Sequence, residues 1–233
     1  MDAKAPVHIG IIMDGNRRFA QKHSMNPWEG HEAGRKTLKK MINYFGNKES
    51  ATKYLTLYTF SLENLKNRSE LEKQFLFKVL TQGFKELLDE HVIFDKKINI
   101  NVIGRWELLP DKGLKDAIQK SIDATKTHKN KFIRFAICYD GQDEIVHACQ
   151  KIVDSNAKKV TPELIKQNLF TSELPPVDLV IRTGGEQRIS GFLLWDASYA
   201  ELYFTETLFP DSVPDTYENA IEEYKNRQRR FGK

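Results

Sequence analysis

The chain has 233 residues, 40% of them hydrophobic, which is enough for one large domain with its own core. Its 36 basic residues against 32 acidic ones leave a formal net charge of +4, a mild and well-mixed excess that suits small anions and argues against nucleic acid as a partner. No run approaches the roughly 20 apolar residues of a bilayer span.

Met1–Pro6 leads straight into a strand-like segment, so no signal peptide is expected. Cys138 and Cys149 match neither a disulfide framework nor a metal pattern, and predict reduced thiols in a cytoplasmic protein.

In chain order, Val7–Met13 reads as an apolar strand that runs into Asp14-Gly15-Asn16, followed by Arg17 and Arg18. Phe19 to Lys22 suits a short helix, which places Gly15 and Asn16 near its N-terminus, where unbonded N–H groups favour anions. Asp14 would repel a phosphate there unless a cation lay between them. It therefore reads as a Mg²⁺ ligand beside a diphosphate. His31, in Glu29-Gly30-His31-Glu32, is a candidate donor to the same anion, against the commoner case of a structural histidine.

A helix is predicted over Glu32–Phe45 and a strand over Tyr54–Phe60, ending in Ser61-Leu62-Glu63-Asn64. Ser69–His91 is strongly amphipathic: Leu71, Phe75, Leu76, Val79, Leu80, Phe84, Leu87 and Leu88 keep helical spacing. Such a stripe ordinarily packs on a sheet, but Phe75, Phe77 and Phe84 also permit a bulky apolar groove. Further strands are predicted at Ile98–Ile103, Phe132–Tyr139 and Val177–Ile181, and near Glu201–Thr205. Helices are predicted at Asp111–Thr127, Gln142–Asn156, Pro162–Leu169 and Thr216–Arg230. This alternation predicts a single α/β domain over residues 1–233, with a mainly parallel, roughly six-stranded sheet flanked by helices.

The strand at Val177–Ile181 ends abruptly in Arg182-Thr-Gly-Gly, and Arg188 and Ser190 follow within one loop. Two guanidinium forks, a hydroxyl and two glycines that let backbone N–H groups come close suit a multiply charged anion. The plainer alternative is a turn whose arginines pair with nearby carboxylates. The strand tip at Asp14 is a second anion site, and it favours the first reading. Ligands of parallel sheets sit at the strands' carboxyl ends, where Asp14, Ser61–Asn64 and Arg182 all fall.

These segments resemble the cis-prenyltransferases, typified by undecaprenyl diphosphate synthase. The likeness runs through His8–Phe19, Gly30-His31, Thr56–Asn64, Asn67-Arg68, Ile103-Gly104, Val177–Ser190, Phe192–Trp195, Tyr199–Phe204 and Arg229–Gly232. It implies condensation of isopentenyl diphosphate with an allylic prenyl diphosphate to give a Z-polyprenyl diphosphate, with Mg²⁺ as cofactor and an apolar tunnel for the product.

By that resemblance Gly15, Asn16, Arg17, Arg18, Phe19 and His31 bind the allylic substrate, and Arg182, Arg188, Ile189 and Ser190 bind isopentenyl diphosphate. Asp14 and Glu201 take the metal positions. Asn64 assists proton removal, with Ser61, Leu62, Glu63, Leu65 and Arg68 around it. Leu71–Leu88 and the region of Ile100–Ile103 are implied as tunnel wall.

The family's homodimer is also implied, with Arg230 and Gly232 reaching the partner's active site. So is peripheral membrane contact through a greasy product. The sequence departs from the family pattern at Pro27 (often arginine), Leu65 (often aromatic), Cys138-Tyr-Asp140-Gly141 (commonly Asn-Tyr-Gly-Gly) and Gln187 (often histidine), with one extra residue near Lys66.

Three alternatives bear on use rather than fold. A short-chain synthase, or prenyl transfer to a non-isoprenoid acceptor, would share these motifs. A non-catalytic subunit would be expected to lack Asp14 and Arg182-Thr-Gly-Gly, which are present. No Cys-x5-Arg loop, Asp-x-Asp pair or Asp-Asp-x-x-Asp supports a phosphatase or a trans-type synthase.

Overall fold

A computed structural model describes residues 5–227. Six parallel strands form one sheet: β1 (His8–Ile12), β2 (Tyr54–Ser61), β3 (Ile98–Ile103), β4 (Lys131–Tyr139), β5 (Leu179–Arg182) and β6 (Glu201–Phe204), in the order β3-β4-β2-β1-β5-β6. β1 and β5 are buried on both faces, which is why they read as near-continuous apolar runs rather than alternating ones. Side chains of β1 still alternate by face. Ile9 and Ile11 join the larger core, with Met41, Ile42, Leu57, Phe84 and Tyr217, while Ile12 joins the smaller one, with Tyr139, Val180, Phe192 and Leu193.

The helices follow from their caps. α1 (Asn16–Lys22) begins after Gly15, whose φ of 112° is a left-handed conformation that glycine adopts without strain. α2 begins at Pro27 and ends at Asn47, earlier than the predicted Glu32: Asn26 caps it, its N–H donates to Glu29 Oε2 at 2.8 Å, and Pro27 fills the first turn. His31 consequently lies within α2 rather than just before it.

A short α3 (Leu62–Asn67), not expected, follows β2; the Ser61 hydroxyl accepts from Asn64 N at 3.0 Å. The long amphipathic segment divides at Glu90 into α4 (Glu70–Asp89) and α5 (His91–Asp95). Leu71 is 80% exposed and does not join the stripe. The remaining helices are α6 (Lys112–Thr125), α7 (Gly141–Asp154), α8 (Pro162–Asn168) and α9 (Pro214–Asn226).

Candidate active site

β1 and β5 are neighbours in the sheet, but their crossovers depart to opposite sides, to β2 and to β6. Such a reversal opens a crevice above the carboxyl ends of the two strands. Asp14 and Arg182 stand on its two lips. Arg182 Nη2 donates to Asp14 Oδ2 at 2.9 Å, Gly15 N donates to Oδ1 at 2.6 Å, and Arg18 Nη2 lies 3.2 Å from Oδ1.

The turn itself is fixed by Thr183, whose hydroxyl donates to the Asp14 carbonyl at 2.8 Å. Burial alone would raise the Asp14 carboxyl. The Arg182 hydrogen bond and the charges of Arg18 and Arg182 outweigh it and hold the group below the ordinary carboxylate value.

The β5 lip is braced. Arg182 Nη1 donates to the Ser190 hydroxyl at 2.8 Å and to the Arg188 carbonyl, so one buried guanidinium organises the loop that carries both residues. Ser190 itself is left-handed, at φ 49°. The glycines serve differently from the expectation: Gly184 N and Gly185 N donate to the carbonyls of Thr207 and Thr205, each at 2.8 Å. Their value is positive φ and close approach, since a side chain at Gly184 would strike Arg18 and one at Gly185 would strike Glu206. Both glycine N–H groups are therefore already committed to backbone carbonyls.

The plainer reading of this turn, arginines paired with nearby carboxylates, is met: Glu186 pairs with Arg188 and lies 3.8 Å from Arg18.

The β2 tip forms a third wall. The Arg68 guanidinium donates to Asn64 Oδ1 at 3.3 Å and to Glu72 at 2.8 Å, which orients the Asn64 amide. Arg68 is lowered by burial and by the charge of Arg17, with Glu72 partly offsetting. His31 faces the same two arginines; burial and the charges of Arg68 and Arg17 pull its imidazole down to about 4, so the ring is neutral near pH 7.

Tyr58 was missed in the sequence, where a strand aromatic reads as core. Its hydroxyl donates to the Ser190 carbonyl at 3.3 Å and its ring stacks on Phe192 at 4.8 Å, joining the β2 and β5 walls. Phe19 turns toward His23, their rings 4.4 Å apart, Leu62 and Leu65 pack on the larger core, and Ile189 packs on the smaller one.

Beneath this rim lies an apolar cleft between α2, α4 and the sheet, with about 860 Å³ of space, part of it open to solvent. Asn16 and His31 stand at its polar end, and Leu38, Ile42, Leu76, Phe84, Leu87 and Phe135 line its length. Gly30 and Gly34 let α2 pass against Asn16 so closely that a Cβ at either would overlap it. Ile100–Ile103 do not border the cleft; the wall on that side is Phe135 of β4.

Glu201 does not converge with Asp14 in this chain. It pairs in register with Leu179, and through it with Ile9, at the amino end of the strands. That is roughly 15 Å along the strand direction from the Asp14 tip, and its Oε2 lies 2.8 Å from Arg227. Arg230 and Gly232 fall outside the described residues.

Among the described residues no group of three His, Cys, Asp or Glu could cage a metal. The rim still fits Mg²⁺, which is ordinarily held by one or two carboxylates, substrate phosphate and water. Asp14 offers one partly exposed hard-oxygen ligand beside Arg18 and Arg182. Asn16 Oδ1, His31 Nε2 and Arg182 Nε are buried without a hydrogen-bond partner, three of the four such side-chain atoms among the described residues. Concentrated at one crevice, they mark a polar ligand site.

Cationic forks at paired strand tips, opening into a greasy cleft, define a class: an α/β protein that holds a phosphorylated head and an apolar tail side by side. The comparisons with known proteins agree. The profile of the family described as "Putative undecaprenyl diphosphate synthase" matches residues 12–232. The chain is 42% identical over 226 residues to an isoprenyl transferase of Rickettsia prowazekii, covering 97% of each sequence. It is 39% identical over 234 residues to a tritrans,polycis-undecaprenyl-diphosphate synthase (geranylgeranyl-diphosphate specific) of Pyrococcus horikoshii, covering 98% of this chain and 87% of that one.

The crystal structure of lavandulyl diphosphate synthase from Lavandula x intermedia, in complex with dimethylallyl diphosphate, superposes with a TM-score of 0.89 at 31% identity over 98% of this chain and 99% of that one. The chain belongs to the undecaprenyl diphosphate synthase family of prenyltransferases.

Proposed function

We propose that this protein is a Mg²⁺-dependent cis-prenyltransferase that condenses isopentenyl diphosphate with an allylic prenyl diphosphate and releases a Z-polyprenyl diphosphate. One observation carries the reading: Asp14 and Arg182 meet at 2.9 Å on facing lips of a crevice that opens into an apolar cleft.

In this reading the first turn of α1, with Gly15, Asn16, Arg17, Arg18 and the neutral His31, holds the allylic diphosphate. Arg182, Arg188 and Ser190 hold that of isopentenyl diphosphate. Asp14 would hold Mg²⁺, which when bound would supply charge neutralisation at the departing diphosphate.

The allylic C–O bond breaks, and diphosphate leaves with the electron pair. The terminal methylene carbon of isopentenyl diphosphate bonds to the allylic carbon, and the adjoining cation loses a proton to form the new Z double bond. Arginines already fixed in place stabilise the charge as it develops, without reorganising at that moment. Asn64, held by Arg68, is an orienting group, because a neutral amide is a poor base; diphosphate or water takes the proton. Each turnover adds about five carbons to the buried tail, worth roughly 4 kcal/mol at 0.8 kcal/mol per CH₂. Elongation is thus favourable until the cleft is filled.

No helix among the described residues is long and apolar enough to cross a membrane. A homodimer, a cytoplasmic location and peripheral contact with membranes through the product complete the proposal. Glu201, committed to Arg227, is left out of the metal site of its own chain.

The test is incubation of purified protein with labelled isopentenyl diphosphate, Mg²⁺ and allylic primers from five to twenty carbons. Labelled polyprenyl diphosphate is expected, and its absence with every primer would sink the proposal. The likeness to a protein solved with dimethylallyl diphosphate keeps a short-chain synthase as the second reading. A product ladder that stops after one or two additions would favour that reading.

A further inference from the structure

A guanidinium taken out of water is costly unless a counter-charge or hydrogen-bond acceptors surround it. Arg182 meets that demand with Asp14. Arg134, on β4, is 5% exposed and forms no ion pair among the described residues. Only its Nη1 is committed, donating to Asn99 Oδ1 at 2.8 Å, the Ile133 carbonyl at 3.2 Å and the Asn99 carbonyl at 3.3 Å. The guanidinium lies over Phe132, 5.5 Å from the ring centroid, and Phe132 stacks in turn on Tyr54 at 4.8 Å. Ring and carbonyls thus fix the fork. Its Nε–Nη2 edge, which matches two oxygens of a phosphate, has no acceptor among the described residues. Burial pulls the group down to about 10, and the charge of Glu173 offsets this only in part.

Arg134 lines a pocket at the amino ends of β2, β3 and β4, with about 890 Å³ of space, part of it open to solvent. Lys53, Lys126 and Lys129 line it too. Lys126 reaches Asp123 at 3.4 Å, an exposed pair, while Lys53 and Lys129 pair with no carboxylate among the described residues. Glu173 is the carboxylate in the lining, so four cations there face one anion. Exposed lysines alone are an ordinary solvated face. A buried fork, held flat on an aromatic ring with its bidentate edge unused, is not. Nor does this pocket belong to the crevice. Phe132 is in register with Tyr54, and Tyr54 with His8, six residues before Asp14. That is roughly 20 Å along the strand direction.

We propose that this pocket is a second oxyanion site, in which the Arg134 edge and the flanking lysines bind the phosphate group of a ligand. The same chemistry is offered by free diphosphate and by an anionic lipid headgroup, and the test separates the two. The site stands on its own geometry and does not require the prenyl-transfer reading.

The test compares wild type, Arg134→Gln, Glu173→Gln and the double variant Lys53→Gln/Lys129→Gln. Each is titrated calorimetrically with inorganic diphosphate, and each is floated on vesicles of phosphatidylcholine with and without phosphatidylglycerol. The crevice is intact in all four, so the second site is read as a difference between them. Arg134→Gln is expected to weaken binding at this site at least about tenfold, the loss of a charged bidentate contact. Glu173→Gln, which removes an exposed like charge, should tighten it about threefold. If Arg134→Gln does not fold, the double lysine variant, altered only at exposed positions, decides by weakening the same binding. A difference in the diphosphate titration identifies the free anion. A difference confined to phosphatidylglycerol vesicles identifies the headgroup. Equal diphosphate binding and equal flotation across the folded variants overturn the inference.

Discussion

The two lips of the crevice hold their arginines in contrasting ways. On the β5 side the Arg182 side chain is 6% exposed and bonded to Asp14, Ser190 and the Arg188 carbonyl, so its fork is set before any ligand arrives. On the β1 side the Arg18 side chain is 44% exposed, held by the Gly184 carbonyl and by carboxylates, and Arg17 is exposed. A rigid lip suits a substrate that is the same in every cycle. An adaptable lip suits one whose tail lengthens each time. Preorganised groups also lose less on binding, so the β5 side should carry more energy per contact.

Substitutions can break or sharpen this contrast. The largest effect is expected at the point that joins the lips. Asp14→Ala should lower kcat by roughly a thousandfold or more, because a metal ligand supplies several kcal/mol and each 1.4 kcal/mol is about tenfold. Its circular dichroism should stay native, and near-normal turnover would remove Asp14 from the mechanism.

Next comes Arg182→Lys. It keeps the charge but loses the fork that braces Ser190 and the Arg188 carbonyl. Loss of one charged hydrogen bond, about 1.5–3 kcal/mol, predicts a roughly 10- to 100-fold fall in kcat/KM for isopentenyl diphosphate. Arg18→Lys should cost less than tenfold, seen mainly in the KM of the allylic substrate, because an exposed pair is screened. If the two lysine variants lose equally, the contrast between the lips is not functional.

The smallest effect is one of pH on stability. His31 in the folded chain lies at about 4, below its ordinary 6.5, so the unfolded chain binds more protons between those values. Stability from this group is full above pH 6.5 and is lost as pH falls toward 4, on the order of 2–3 kcal/mol. Denaturant titrations of wild type and His31→Gln over that window should show a shallower slope for the variant. Parallel slopes would mean that His31 is not the group responsible.

The strand tips were legible because burial on both faces makes β1 and β5 continuous apolar runs, and charge appears at once where they end. The start of α2 at Asn26-Pro27 was not read, and the predicted helix begins only at Glu32; close helix crossing against Asn16, a tertiary matter, is why Gly30 and Gly34 sit inside a helix. Leu71 keeps the spacing of its neighbours yet faces solvent, since the helix has only begun there and no sheet lies opposite. Glu201 looked like a partner for Asp14, but register puts it at the other end of the sheet. The Cys138 departure takes on meaning only with dihedrals: at φ 47° it occupies a left-handed position that asparagine tolerates better than most residues.

α2 and α4 meet along their outer edge through Arg35 with Glu86 and Lys39 with Glu90, side-chain clasps rather than backbone ladders. Their separation can widen at the cost of unfastening those clasps while the sheet beneath stays intact. In the proposed reaction a container built this way can dilate around a tail thicker than its resting bore, and because the Arg35, Glu86 and Glu90 side chains are only 13%, 26% and 14% exposed, dissolved salt loosens these clasps little.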